Sequence, residues 1–155
     1  MAFTPWSLDA ASAVLAMTRD QPGPVLICLQ AIQEEFGYVP PQAVEHIAKA
    51  CNVSRADVHG VLTYYHDLRT CLPPATVLRI CVAEACQSVG SRDLVSEVEK
   101  SFNARMDESN AEVELKPVYC LGNCALGPSA MVNGELLGRA TAQGMKNLAD
   151  EQVRT

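Results

Sequence analysis

Four cysteines stand in two close pairs in the second half of the chain, Cys81-Val-Ala-Glu-Ala-Cys86 and Cys120-Leu-Gly-Asn-Cys124. Four thiolates drawn from two short loops form a metal-ligand set, and two chemistries compete for it. A 2Fe–2S rhomb takes four thiolates, two on each iron. Structural zinc also takes four, usually from compact C-x₂₋₄-C knuckles. Here four residues separate the first pair and three the second, so spacing alone leaves both metals open. A redox-active disulfide favours C-x-x-C, which this chain lacks. A Rieske centre requires two histidine ligands. His46, His59 and His66 all lie in the first half, far in sequence from these cysteines.

Charge accounts for what surrounds the pairs. Two ferric ions, two sulfides and four thiolates leave a doubly negative group, triply negative after one-electron reduction, and such a group calls for backbone N–H donors at its sulfurs. Gly90, Gly122 and Gly127 permit tight turns and close backbone approach. A helix following Cys86 would turn its positive N-terminal end toward the site. Arg92 and Arg139 are read as solvated surface charges, as is Glu84 between the first two cysteines. Asn123 either donates toward a sulfur or sits in solvent.

The elements that must position these thiols begin beyond Leu72-Pro73-Pro74, which breaks the pattern before it. Thr76 to Val82 is apolar and β-branched enough for a strand ending at the first pair, and Val113 to Tyr119 reads as a second strand ending at the other. Leu94, Val95, Val98 and Phe102 predict a helix between them. Met131-Val132 and Glu135 to Leu137 flank Asn133-Gly134, the strongest short hairpin signal. Thr141 caps a last helix with Met145 and Leu148 inside. A βαβ unit followed by a hairpin and helix implies a small α/β sandwich of thioredoxin-like type. Two neighbouring strands ending on the same side would deliver both thiol pairs to one edge.

The preceding half is read as a helical bundle. Ser7 caps a helix with Leu8, Ala11 and Leu15 on one side and Trp6 before the cap. After Gln21-Pro22-Gly23-Pro24, residues Val25, Leu29, Ile32 and Phe36 keep helical spacing and stop at Gly37. Pro40-Pro41 opens a third helix with Val44, Ile47 and Ala48 inward and Asn52 as its stop. Ser54 and Asp57 form a capping box for a fourth, carrying Val58, Val61, Leu62 and Tyr65. Cys28, Cys51 and Cys71 are read as small buried hydrophobes, Cys51 and Cys71 having no partner at ligand spacing.

Composition limits the function. The chain of 155 residues has a formal charge of −6, which argues against nucleic acid. No apolar run approaches the ~20 residues that span a bilayer, and Met1 to Asp20 lacks the pattern of a secretory signal, so a cytoplasmic protein is expected. Seven cysteines in a reducing compartment point to metal or redox work. No nucleotide loop, Ser–His–Asp set or catalytic carboxylate pair is found, so no catalysis by the chain alone is expected.

Cys81-x₄-Cys86 followed by Val118-Tyr-Cys-Leu-Gly-Asn-Cys-Ala-Leu-Gly-Pro128 closely resembles the thioredoxin-like 2Fe–2S ferredoxin subunits. These accompany the flavin subunit of respiratory complex I and related NAD-linked oxidoreductases. In the helical half, Ile32-Gln-Glu-Glu-Phe-Gly-Tyr-Val-Pro40 and Val58-His-Gly-Val-Leu-Thr-Tyr-Tyr65 look like that family's N-terminal segment. The family usually has Phe-Tyr where this chain has Tyr64-Tyr65, and often alanine at Asn123. The resemblance implies one 2Fe–2S cluster on Cys81, Cys86, Cys120 and Cys124. It also implies a helical bundle (1–72) for subunit docking before a thioredoxin-like ferredoxin domain (75–155).

Within the family, Val82-Ala-Glu-Ala-Cys-Gln-Ser-Val-Gly90 and Ala130-Met-Val-Asn-Gly-Glu-Leu-Leu-Gly-Arg139 look most like gamma subunits of soluble, NAD-dependent, molybdenum formate dehydrogenases. That likeness implies electron transfer beside a subunit binding FMN and NAD, and a larger molybdenum- and iron–sulfur-containing subunit that oxidises formate. The equivalent subunit of complex I or of an NAD-linked hydrogenase is the near alternative. A zinc-stabilised interaction module, or a thiol oxidoreductase, is the alternative of another class.

Overall fold

A computed structural model describes residues 3–154, and the chain divides into two compact units between Pro73 and Pro74. In the first unit, four helices bury one apolar face each. Ser7 is extended and its hydroxyl accepts from the Ala10 N–H, which starts α1 (Leu8–Thr18). Trp6, just before the cap, meets Phe36 edge-on with ring centroids 4.9 Å apart. Gly23 in the left-handed region and Pro24 open α2 (Pro24–Phe36), and Gly37 at φ 79° closes it. The helix α3 (Pro41–Cys51) ends on Asn52 at φ 53°. The reciprocal Ser54–Asp57 box starts α4 (Arg55–Tyr64). Leu15, Leu29, Ile32, Phe36, Ile47, Val58 and Leu62 make the core.

Tyr65 departs from its expected place in that helix. The α4 helix stops at Tyr64, Tyr65 is extended, and both tyrosines are exposed with their rings 5.2 Å apart. The chain turns there because the segment after α4 is drawn back onto α2: the Gln33 side chain donates to the Asp67 carbonyl at 2.9 Å and accepts from the Arg69 N–H.

The second unit is a five-stranded sheet with helices. The strands β1 (Thr76–Cys81), β2 (Glu108–Ser109), β3 (Val113–Val118), β4 (Ala130–Val132) and β5 (Glu135–Leu137) lie in the order β2-β3-β1-β4-β5. Between β1 and β2 run α5 (Glu84–Gln87) and α6 (Ser91–Ser101), and α7 (Ala142–Arg154) follows β5. Asn133 and Gly134, at φ 48° and 88°, form the turn between β4 and β5. Positive φ at both central positions is what a type I′ hairpin demands. The Asn133 side chain also accepts from the Val77 N–H at 2.7 Å, fastening the hairpin to β1. Leu78, Ile80, Leu94, Val98, Leu115, Val132 and Met145 fill the core. No helix among the described residues is long and apolar enough to cross a membrane.

Strands β1 and β3 pair in parallel, with Cys81 opposite Val118. Parallel strands point their C-terminal ends the same way. The loops that begin at Val82 and Tyr119 therefore open on one edge of the sheet, and a Val82 N–H bond to the Val118 carbonyl at 2.9 Å holds their roots together.

Candidate metal centre

Each cysteine reaches the edge by a different device. Cys81 is the last residue of β1 and is buried. Its N–H donates to the Ser129 carbonyl at 2.9 Å, and its own carbonyl accepts from the Ser91 hydroxyl. Cys86 is buried within α5, a single turn. Cys120 and Cys124 are exposed, Cys124 opening a 3₁₀ turn that ends at Leu126. Cys120 stands at φ 148°, a backbone region that side chains rarely occupy and that surrounding structure must enforce.

The thiols form two pairs. Cys120 Sγ and Cys124 Sγ lie 3.9 Å apart, and Cys86 shares a hydrogen bond with Cys81. Burial pushes the Cys86 thiol above its ordinary value, the bond to Cys81 adds to that, and the Ser129 N–H acts against it. The hydrogen bond to Cys120 raises Cys124, as does the negative charge of Cys120. The charge of Cys81 bears on Cys124, and that of Cys124 on Cys86, so the pairs are neighbours. Thiols packed this way resist ionising together, and a cationic metal would neutralise the charge that four thiolates bring.

Backbone donors converge on the same sulfurs. The Gly122 N–H donates to Cys120 Sγ at 3.3 Å, and the N–H of Ser129 bonds to Cys86. Gly122 adopts φ 72°, which bends the loop back onto Cys120. Gly127 serves close approach instead: a Cβ there would sit 2.9 Å from Val89 Cγ2 and 3.6 Å from Cys86 Sγ. The loop from Cys124 to Pro128 is held from behind by N–H bonds from Arg139 to the Leu126 carbonyl and from Ala140 to the Pro128 carbonyl.

Among the surrounding residues, Glu84, Arg92 and Arg139 are exposed, and the Arg92 guanidinium is engaged with the Gln87 side chain. Asn123 neither reaches a sulfur nor stands in solvent: its amide donates to the Ser129 hydroxyl at 3.2 Å. Ser129 is the residue that sequence reasoning missed. It is buried, its backbone serves both Cys81 and Cys86, and its hydroxyl ties the Asn123 loop. Nothing in the local sequence separates it from an ordinary loop serine. In the other unit, Cys71 is exposed and Cys51 is only half-buried, while Cys28 is fully buried. Cys51 has a spatial partner that sequence spacing could not reveal, Cys28 Sγ at 3.8 Å.

Two pairs of thiols, flanking N–H donors and a glycine left clear for close approach fit a small, anionic iron–sulfur group. Comparison with known proteins agrees. The profile of the thioredoxin-like 2Fe-2S ferredoxins matches residues 11–152, and the chain belongs to that family. It is thus an electron-transfer protein whose cofactor is a 2Fe–2S cluster. A subunit of the NADH-quinone oxidoreductase of Pseudomonas aeruginosa is 28% identical over 127 residues, covering 81% of this chain and 76% of that protein. The subunit of the same name from Aquifex aeolicus is 29% identical over 113 residues, covering 72% and 71%. Among solved structures, the NAD⁺-reducing NiFe hydrogenase in its air-oxidised state superposes with a TM-score of 0.71 at 18% identity. The match covers 88% of this chain but only 24% of that hydrogenase chain, and at this identity it speaks for the fold.

Proposed function

We propose that Cys81, Cys86, Cys120 and Cys124 hold the cluster, two thiolates to each iron, and that the chain exchanges single electrons with a flavoprotein partner. The observation that carries this reading is the parallel pairing of β1 with β3, which opens both cysteine loops on one edge. When bound, the cluster supplies a one-electron carrier. The chain's own part is electrostatic. The N–H groups of Gly122 and Ser129, aimed at sulfur, lower the cost of the additional negative charge that reduction brings.

The helical unit contributes none of the four proposed cluster ligands, and its proposed task is docking. Its partner in this reading is a subunit that binds FMN and NAD, within a cytoplasmic NAD-dependent formate dehydrogenase whose larger molybdenum- and iron–sulfur-containing subunit oxidises formate. The stretches Val82–Gly90 and Ala130–Arg139 support that choice by resemblance. A second reading has its own support: relatives named as subunits of NADH-quinone oxidoreductase favour a place in a quinone-reducing complex.

Affinity purification from the native cell, followed by mass spectrometry, tests the choice. Co-recovery of a flavin- and NAD-binding subunit with a molybdoenzyme is expected. Recovery with quinone-reducing membrane subunits, or with a NiFe protein, and no molybdoenzyme would overturn the formate assignment and leave electron transfer standing.

A further inference from the structure

Away from the four clustered thiols, the helical unit contains a second pair that the electron-transfer reading does not use. Cys28, in the middle of α2, and Cys51, the last residue of α3, bring their sulfurs to 3.8 Å across a sequence separation of 23. The hydrogen bonds around them have a direction. The Thr18 hydroxyl donates to the Val14 carbonyl at 3.0 Å, so its oxygen is free to accept from the Cys28 S–H, 3.2 Å away. With the Cys28 proton turned toward Thr18, a Cys28 lone pair faces Cys51.

We propose that Cys28 and Cys51 form a reversible disulfide that pins α2 to α3, made by thiol–disulfide exchange with a low-molecular-weight disulfide such as oxidised glutathione. A disulfide brings its sulfurs to about 2.0 Å, so the present gap must shorten by roughly half. Cys51 has the freedom to do this. It ends its helix, is followed by Asn52 in the left-handed region, and is half-buried where Cys28 is sealed.

Access sets the order of events. The Cys51 thiol loses its proton and attacks one sulfur of the glutathione disulfide, forming a mixed disulfide and expelling one glutathione thiolate. Cys28 then loses its proton, attacks Cys51 Sγ and expels the second. Two protein thiols are oxidised by two electrons, one small disulfide is reduced to two thiols, and the two protons end on the glutathiones. Burial first, and then the hydrogen bond with Cys28, push the Cys51 thiol up to about 11. Little thiolate is present near neutral pH, so the exchange is slow and answers sustained rather than brief oxidation.

The test uses the full-length, cluster-loaded protein. It is incubated anaerobically with oxidised glutathione, blocked with N-ethylmaleimide, digested and mapped by mass spectrometry without reduction. A Cys28–Cys51 cross-linked peptide is expected, with loss of two titratable thiols, unchanged visible absorbance from the cluster, and full reversal by dithiothreitol. In Cys28→Ser, and equally in Cys28→Ala, Cys51 should halt as the glutathione adduct. Recovery of both thiols as maleimide adducts after unfolding would overturn the proposal. So would a wild-type protein that stops at glutathionylated Cys51, or a bond from Cys51 to Cys71 instead.

Discussion

Replacing Gly122 by alanine isolates one contribution to the site, because the added methyl group meets no other part of the protein. An ideal Cβ at this position has no protein heavy atom within 4 Å beyond its chain neighbours, so no packing clash with the protein arises. What remains is the backbone: at φ 72° an alanine incurs the left-handed cost of roughly 1–2 kcal/mol. The unfolded chain of the variant is less flexible, which returns about 0.4–1 kcal/mol. The net loss is about 1 kcal/mol, or about 4–8 °C in the thermal midpoint for a unit of this size. If the loop relaxes toward negative φ, the Gly122 N–H swings away from Cys120 Sγ, and losing that donor makes the cluster harder to reduce. Thermal loss of the cluster absorbance and a redox titration read the two effects. Gly122→Asn, which tolerates the left-handed region better, should recover part of both. An alanine variant as stable as the parent or more so, with an unchanged potential, would refute the reasoning. It would show that the glycine contributes only flexibility.

Ser129→Ala removes a buried hydroxyl bonded to the Asn123 loop while leaving the Ser129 N–H at Cys86, so denaturant titration should show a loss of about 1 kcal/mol with little change in potential. In the helical unit, bonds from the Ser54 side chain and backbone hold the Asp57 carboxyl below its ordinary value. Its contribution to stability is present above about pH 4 and is lost as pH falls through the lowered folded value, so Asp57→Asn should flatten the acid limb of a stability–pH curve. Changing Cys81, Cys86, Cys120 or Cys124 singly to serine should abolish or distort the visible spectrum, since hard oxygen replaces thiolate. Cys71→Ser, at an exposed site in the other unit, should leave it intact. Equal bleaching by Cys71→Ser and Cys124→Ser would contradict the ligand assignment.

The parts of the fold written in local chemistry were readable from the sequence. Ser7 and Ser54 cap helices, Gly37 and Asn52 end them, and Asn133-Gly134 turns the hairpin, because each acts through its own backbone angles or a bond three residues away. The strands that lead into the two cysteine loops were readable to within a residue, Thr76–Cys81 and Val113–Val118. Elements too short to have a period escaped: α5 is one turn and β2 two residues. Tyr65 satisfied the apolar spacing of α4, but Gln33 draws the following segment back across α2, a tertiary effect without a local signal. The same holds for Ser129 and for the meeting of Cys28 with Cys51, which depend on how distant segments fold together. At the site, the cysteine types and spacing indicated a metal, while the choice of iron–sulfur over zinc came from family resemblance.

Metal and sulfide analysis of anaerobically purified protein bears most directly on the central claim. A chain carrying one 2Fe–2S cluster holds about two irons and two acid-labile sulfides, bleaches with dithionite, and then gives the EPR signal of one unpaired electron. Stoichiometric zinc with no labile sulfide and no signal after reduction would contradict the account.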